Sequence, residues 1–158
     1  MRAAQPLIPG SISQFAFVYP DGWGCFWDEF AGVASDESSM DSFHCGLLSS
    51  RGCFGVGSRL RGVHRPGPAG PLVGQWQTKK RKDEWRKRAP CRVNVVADLA
   101  TSHAVRLTFY CDGVAVGVGD SGCTLELPPG SASAHKWYPA AQTPAGGRTI
   151  RIECSGDW

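Results

Sequence analysis

Residues 79–88 carry the sharpest chemical signal in this chain. Lys79, Lys80, Arg81, Lys82, Arg86, Lys87 and Arg88 place seven positive charges in ten residues, with Trp85 among them and Trp76 just upstream. Ammonium and guanidinium groups neutralise phosphates, and an indole stacks on a base, so this mixture suits nucleic acid. The same KKRK run suits an import receptor, an acidic protein face or anionic lipid. A solvated loop kept soluble by its charge also fits it, as does a loop neutralised by the acidic stretch 28–41. Tryptophan beside arginine is a common interface composition, which makes Trp76 and Trp85 candidate partner contacts with the seven basic residues.

The charge is strongly segregated. Residues 1–50 hold six acids against one base, residues 51–92 hold twelve bases against two acids, and residues 93–158 hold four bases against six acids. The net charge of +3 hides the local field this creates.

Seven cysteines and four histidines could in principle support thiol or metal chemistry. The spacing argues against both. No C-x-x-C pair occurs, so zinc-finger spacing is absent. His44 and Cys45 are neighbours, and in a strand their side chains face opposite ways. His103 or His135 would have to approach Cys111 or Cys123 to form a Cys–His pair, and a thiolate nucleophile also needs an orienting group. A Cys–His enzyme is the third reading, behind two binding readings. Gly55-Val56-Gly57 and Gly117-Val118-Gly119 lack the spacing and the following helix of a nucleotide loop. Residues 1–10 have only broken apolar runs and lack the continuous apolar core of a secretory signal. The cysteines are therefore expected to be mostly buried free thiols of an intracellular protein, in the cytoplasm or, through KKRK, the nucleus. No stretch reaches the length of a membrane-spanning helix.

The elements that must position these residues read as strands. Twenty glycines and eleven prolines in 158 residues disfavour long helices. Val93 and Val95 alternate with Asn94 and Val96, then Asp98 begins a polar break. Val105, Leu107 and Phe109 alternate with Arg106, Thr108 and Tyr110. Asp112-Gly113 follows, a strong hairpin signal because both residues tolerate positive φ, and Val114, Val116 and Val118 return as the partner strand. Further strands are expected at 15–19 (closed by Pro20-Asp21-Gly22), 43–48, 53–56, 72–77, 123–127 and 149–154. In the last of these, Ile150 and Ile152 should face inward. Residues 23–30, dense in aromatics, suit a strand or an irregular packed segment. Residues 34–41, 64–71 and 128–131 read as loops, and 78–88 allows one or two helical turns before Pro90. Residues 1–14 read as a flexible arm and 15–158 as one domain. Roughly nine to eleven short strands at regular spacing suggest an all-β sandwich. Most of the six tryptophans belong in its core. Trp158 is suited to anchoring its own segment or a neighbour.

The segment Val93-Asn94-Val95-Val96-Ala97-Asp98, followed by Leu107-Thr108-Phe109-Tyr110-Cys111-Asp112-Gly113 and then Gly117, resembles the SPRY domain. In that family a V-x-V-x-x-D strand precedes one of the type I-x-F-Y-x-N-G. Trp137-Tyr138-Pro139-Ala140-Ala141 is similar to the family's later Leu-Tyr-Pro-Ala segment, and 149–154 to its final strand. Upstream, Gly52-Cys53-Phe54-Gly55-Val56-Gly57 looks like one of its earlier strands, while 61–88 would be a basic insertion. The resemblance covers about half the chain. It implies a bent antiparallel β-sandwich that binds proteins through loops at one edge, with no catalytic residue and no cofactor. The resulting expectation is a non-catalytic interaction module, an adaptor or subunit of a larger assembly. The alternative is a ribonucleoprotein subunit that binds nucleic acid through 79–88.

Overall fold

The computed structural model describes residues 1–22, 30–37, 53–57, 89–100, 105–111, 113–115, 123–126, 130–142 and 149–154. Within them the chain forms nine strands and a single helical turn: β1 (Ile12–Tyr19), β2 (Phe30–Ser35), β3 (Cys53–Gly57), β4 (Cys91–Asp98), β5 (Arg106–Cys111), β6 (Val114–Ala115), β7 (Cys123–Glu126), α1 (Ser131–Ala134), β8 (Trp137–Gln142) and β9 (Arg151–Cys154). The strands expected at 43–48 and 72–77, the aromatic stretch 23–29 and the helical turns at 78–88 lie outside the described residues.

Among the described residues the regular structure is almost entirely strand, in two antiparallel sheets. The larger runs β6-β5-β4-β1-β9, with β7 also pairing β5, and the smaller runs β3-β2-β8. The alternation read from the sequence sets the larger sheet's faces. In β4, Cys91, Val93, Val95 and Ala97 are buried, while the intervening residues are half-buried. Phe15 and Phe17 of β1 are 1% and 0% exposed and meet edge to face, with ring centroids 5.5 Å apart. One hydrophobic cluster joins these residues to Leu107 and Phe109 of β5 and to Ala31, Val33, Trp137 and Ala141 of the smaller sheet. Ile150 belongs to the cluster and Ile152 packs against it, as their alternation requires.

The expected turns form through their own residues. The Gly22 N–H donates to the Tyr19 carbonyl at 3.1 Å, closing a turn with Pro20 at its second position and Gly22 at φ +87°. Asp98 ends β4 by accepting a hydrogen bond from the Ala100 N–H at 2.9 Å, the local competition that makes Asp a strand terminator. Gly113 sits at φ +79° between the paired residues Cys111 and Val114, with open space where a Cβ would lie. Its penalty on substitution is therefore purely conformational. Gly113→Ala should lower stability by about 1 kcal/mol and Gly113→Asn by less, because Asn tolerates this region. Urea unfolding of the two variants side by side checks the order.

Three expectations need correction. Residues 34 and 35, read as the start of a loop, are the end of β2. The sequence FAGVAS offers no alternation because Ala31, Val33, Ala34 and Ser35 are all buried, on both faces of a central strand. Residues 12–14, read as arm, already belong to β1, where they pair with β4. Residues 1–11 are not a free arm either. The Ala3 N–H donates to the Pro139 carbonyl (2.8 Å), the Leu7 N–H to the Trp137 carbonyl (2.7 Å) and the Ala141 N–H to the Met1 carbonyl (3.0 Å). The segment thus covers the β8 edge that faces away from β2. Pro139, which has no N–H to give, is tolerated in β8 because, among the described strands, β8 lies at the edge of its sheet beside β2. The chain then reverses at Pro9-Gly10, with Gly10 at φ +79°, and enters β1.

Candidate functional site

The pairing of the larger sheet gathers several connections at one of its ends. Tyr19 lies opposite Cys91, Val18 opposite Arg151, and Val93 opposite Cys111. The 20–22 turn, the chain entering β4 through Ala89 and Pro90, the Gly113 hairpin and the entry to β9 therefore lie together. Ala89 and Pro90 are exposed and joined by a cis peptide bond. The sequence-predicted contacts Trp76, Lys79, Lys80, Arg81, Lys82, Trp85, Arg86, Lys87 and Arg88 all lie outside the described residues. The point at which their segment rejoins the sheet is fixed, one residue after Ala89-Pro90, at Cys91.

Beside this end, a polar network crosses the outer face of the sheet. Arg92 donates from Nε to Asn94 Oδ1 at 2.9 Å and from Nη1 to Glu153 Oε2. Arg151 Nη2 lies 3.8 Å from Glu153 Oε1. Arg92 is opposite Val18 and Glu153 is opposite Ala16, so the Arg92–Glu153 pair spans β1 diagonally. That position explains why Ala16 and Val18 are 0% and 6% exposed although they face away from Phe15 and Phe17. Ion pairs this exposed contribute at most about 1 kcal/mol each, so the network orients side chains more than it stabilises the fold.

A second polar cluster lies where β2 ends. The Asp36 N–H donates to the Lys136 carbonyl at 2.9 Å, tying the end of β2 to the start of β8. His135 Nδ1 is 3.6 Å from Asp36 Oδ1 and 3.8 Å from Glu37 Oε1. Its ring meets Trp137 edge-on at 6.0 Å. Arg2 reaches the same corner, donating to the Ser35 carbonyl at 3.3 Å and lying 4.8 Å from the Tyr138 ring centroid. His135, weighed from the sequence as a partner for a thiol, is thus set against two carboxylates and an indole. This cluster has no short-range sequence signature. Asp36-Glu37 and His135-Lys136 are nearly a hundred residues apart, and only the pairing of β2 with β8 joins them.

Among the described residues no group of three or more His, Cys, Asp or Glu side chains could hold a metal ion. No described helix is long and apolar enough to cross a membrane. Two described cysteines are free thiols, and they differ. Cys91 is buried in the core, whereas Cys154 at the end of β9 is exposed. The native protein should accordingly alkylate at Cys154 within minutes and at Cys91 only on unfolding. Mass spectrometry of peptides after timed iodoacetamide treatment reads both sites in one digest.

Comparison of the chain with protein-family models, with curated proteins and with solved structures finds no match to any of them.

Proposed function

We propose that this chain is a non-catalytic protein-interaction module, a SPRY-like bent β-sandwich acting as an adaptor or as a subunit of a larger assembly. It docks a partner through the loops gathered at the 20–22, 89–90 and 113 end of the larger sheet. The observation that carries this is the neighbourhood of β4, β5 and β6. The V-x-V-x-x-D segment and the L-T-F-Y-C-D-G segment, whose order carries the SPRY resemblance, lie on antiparallel neighbours followed by the hairpin. A single core cluster drawing on both sheets is the packing that a sandwich needs. Loops on a rigid sheet are also the usual location of binding residues. The basic run rejoins the chain at this same end and supplies a second, electrostatic contact.

The runner-up, a nucleic-acid-associated subunit binding through 79–88, draws on the seven charges and on Trp85. One experiment separates the two. Tagged protein is captured from its own cells with and without nuclease, alongside Arg151→Glu and a variant with Lys79, Lys80, Arg81 and Lys82 changed to Gln. Docking through the loop end predicts a discrete protein set that survives nuclease and weakens in Arg151→Glu, whose side chain is 66% exposed. Nucleic-acid binding predicts a set that disappears with nuclease and with the four Gln substitutions. In that case the affinity for a single strand should fall with salt at a log–log slope of roughly −0.7 per phosphate contact.

A further inference from the structure

We propose that residues 1–7 form a displaceable strap over a strand-addition site. The β8 edge beneath it takes an extended peptide with a cation and, three residues later, an aliphatic side chain. The strap fits this edge imperfectly. Arg2 pairs with Ala140 in an antiparallel bridge. On one side of that bridge the Ala141 N–H donates to the Met1 carbonyl, and on the other the Ala3 N–H donates to the Pro139 carbonyl. In an antiparallel ladder the bonded pairs recur at every second residue of both strands, so Gln5 should donate next, to the Trp137 carbonyl. Leu7 does so instead, at 2.7 Å. Residues 1–7 thus oppose residues 137–141 with two residues in excess. The chain bends at Ala4 and Gln5, and Ala4, Gln5 and Pro6 are all exposed. Leu7 is the one buried residue among residues 1–10. A peptide without the excess has the better ladder, while the strap has the advantage of its tether.

The strap's own contacts set the chemistry of such a peptide. Arg2 donates to the Ser35 carbonyl and lies over the Tyr138 ring, which places the cation opposite Ala140. Leu7, 7% exposed, enters the core cluster that holds Trp137 and Ala141. In a regular strand the residue opposite Trp137 comes three after the one opposite Ala140, and it must be aliphatic to take the place of Leu7. A charged side chain there would be buried without a partner. The site lies on the smaller sheet and does not rest on what the loop end of the larger sheet docks.

Amide NMR on the full chain, titrated with the end-blocked peptide Met-Arg-Ala-Ala-Leu, tests the proposal. The peptide is the strap without Gln5 and Pro6. Binding should shift the Tyr138 and Ala140 amide signals and send those of Ala3 and Leu7 to random-coil positions. Leu7→Ala weakens the hold of the strap and should raise the peptide's affinity about tenfold or more. Deleting Gln5 and Pro6 from the chain makes the strap a regular strand and should lower the affinity by a similar factor. The deletion leaves Leu7 in place, so it decides the matter if Leu7→Ala fails to fold. Equal affinity in the unmodified chain and the deletion variant overturns the proposal, as does binding that leaves the Ala3 and Leu7 signals unmoved. No binding at millimolar peptide, the range of a short tether's effective concentration, also overturns it. A concentration-dependent dimer that keeps the Ala3 and Leu7 bonds would assign the edge to exchange between two copies and overturn the peptide reading.

Discussion

Phe17→Ala should cost about 3–5 kcal/mol, the largest effect expected of any single truncation in the described core. Phe17 is 0% exposed, lies on β1 between β4 and β9, and packs edge-on against Phe15. Removing its ring loses the transfer free energy of a buried aromatic. It also leaves a cavity that the facing smaller sheet cannot close without moving Trp137 or Val33, members of the same cluster. Domains of this size are stable by about 5–15 kcal/mol, so the variant should retain only a fraction of that margin or unfold outright. Urea unfolding followed by circular dichroism measures it. Gln14→Ala, an exposed position on the same strand, should stay within about 0.5 kcal/mol and serves as the control. A small loss in Phe17→Ala would mean that the two sheets do not share a core at this point.

The second large effect concerns the N-terminal segment, and it decides between an arm and a structural part. Leu7→Ala should cost about 2–3 kcal/mol, while its neighbour Ile8→Ala should change stability by less than about 0.5 kcal/mol. Leu7 is 7% exposed and belongs to the core cluster, whereas Ile8 is 67% exposed. Leu7 also fixes the backbone bond from its N–H to Trp137, and therefore the cover over the second edge of β8. Deleting residues 1–7 removes that cover. The carbonyls of Trp137, Pro139 and Ala141 and the Ala141 N–H are then left without their partners. An uncovered strand edge is a template for pairing with another chain, so the deletion should also produce self-association. Thermal melts of the two point variants and size-exclusion chromatography of the deletion check both expectations. If Leu7→Ala proved as neutral as Ile8→Ala, residues 1–7 would contribute nothing to the folded state.

Much of the larger sheet was legible from residue types alone, because its signals are local. β4 and β5 each bury one face, so Val93 and Val95 in the first and Leu107 and Phe109 in the second recur at every second position. Pro20-Asp21-Gly22 and the hairpin glycine Gly113 are written in residues that take unusual backbone angles. The basic run was equally plain as composition. A charge count is local to its segment, whereas the face a charged run presents depends on what the fold packs beside it. The His135 cluster was invisible for the opposite reason, since its members are ordinary residues made neighbours by strand pairing.

By itself, then, the amino-acid sequence determined the strand character of the described residues, the alternation of their main strands, the turns at Gly22 and Gly113 and the segregation of charge. Each of these follows from the steric and hydration preferences of residues a few positions apart. Tertiary structure alone decided that β1 lies between β4 and β9, which are distant in the chain, and that the small residues of β2 form a central strand buried on both faces. It also decided that residues 1–7 cover the edge of β8 and that Ala16 and Val18 are buried on the outer face beneath Arg92 and Glu153. The physical reason is common to all four. Burial of small side chains and pairing of strand edges depend on what the rest of the chain brings alongside, and no periodicity within a segment encodes its neighbours.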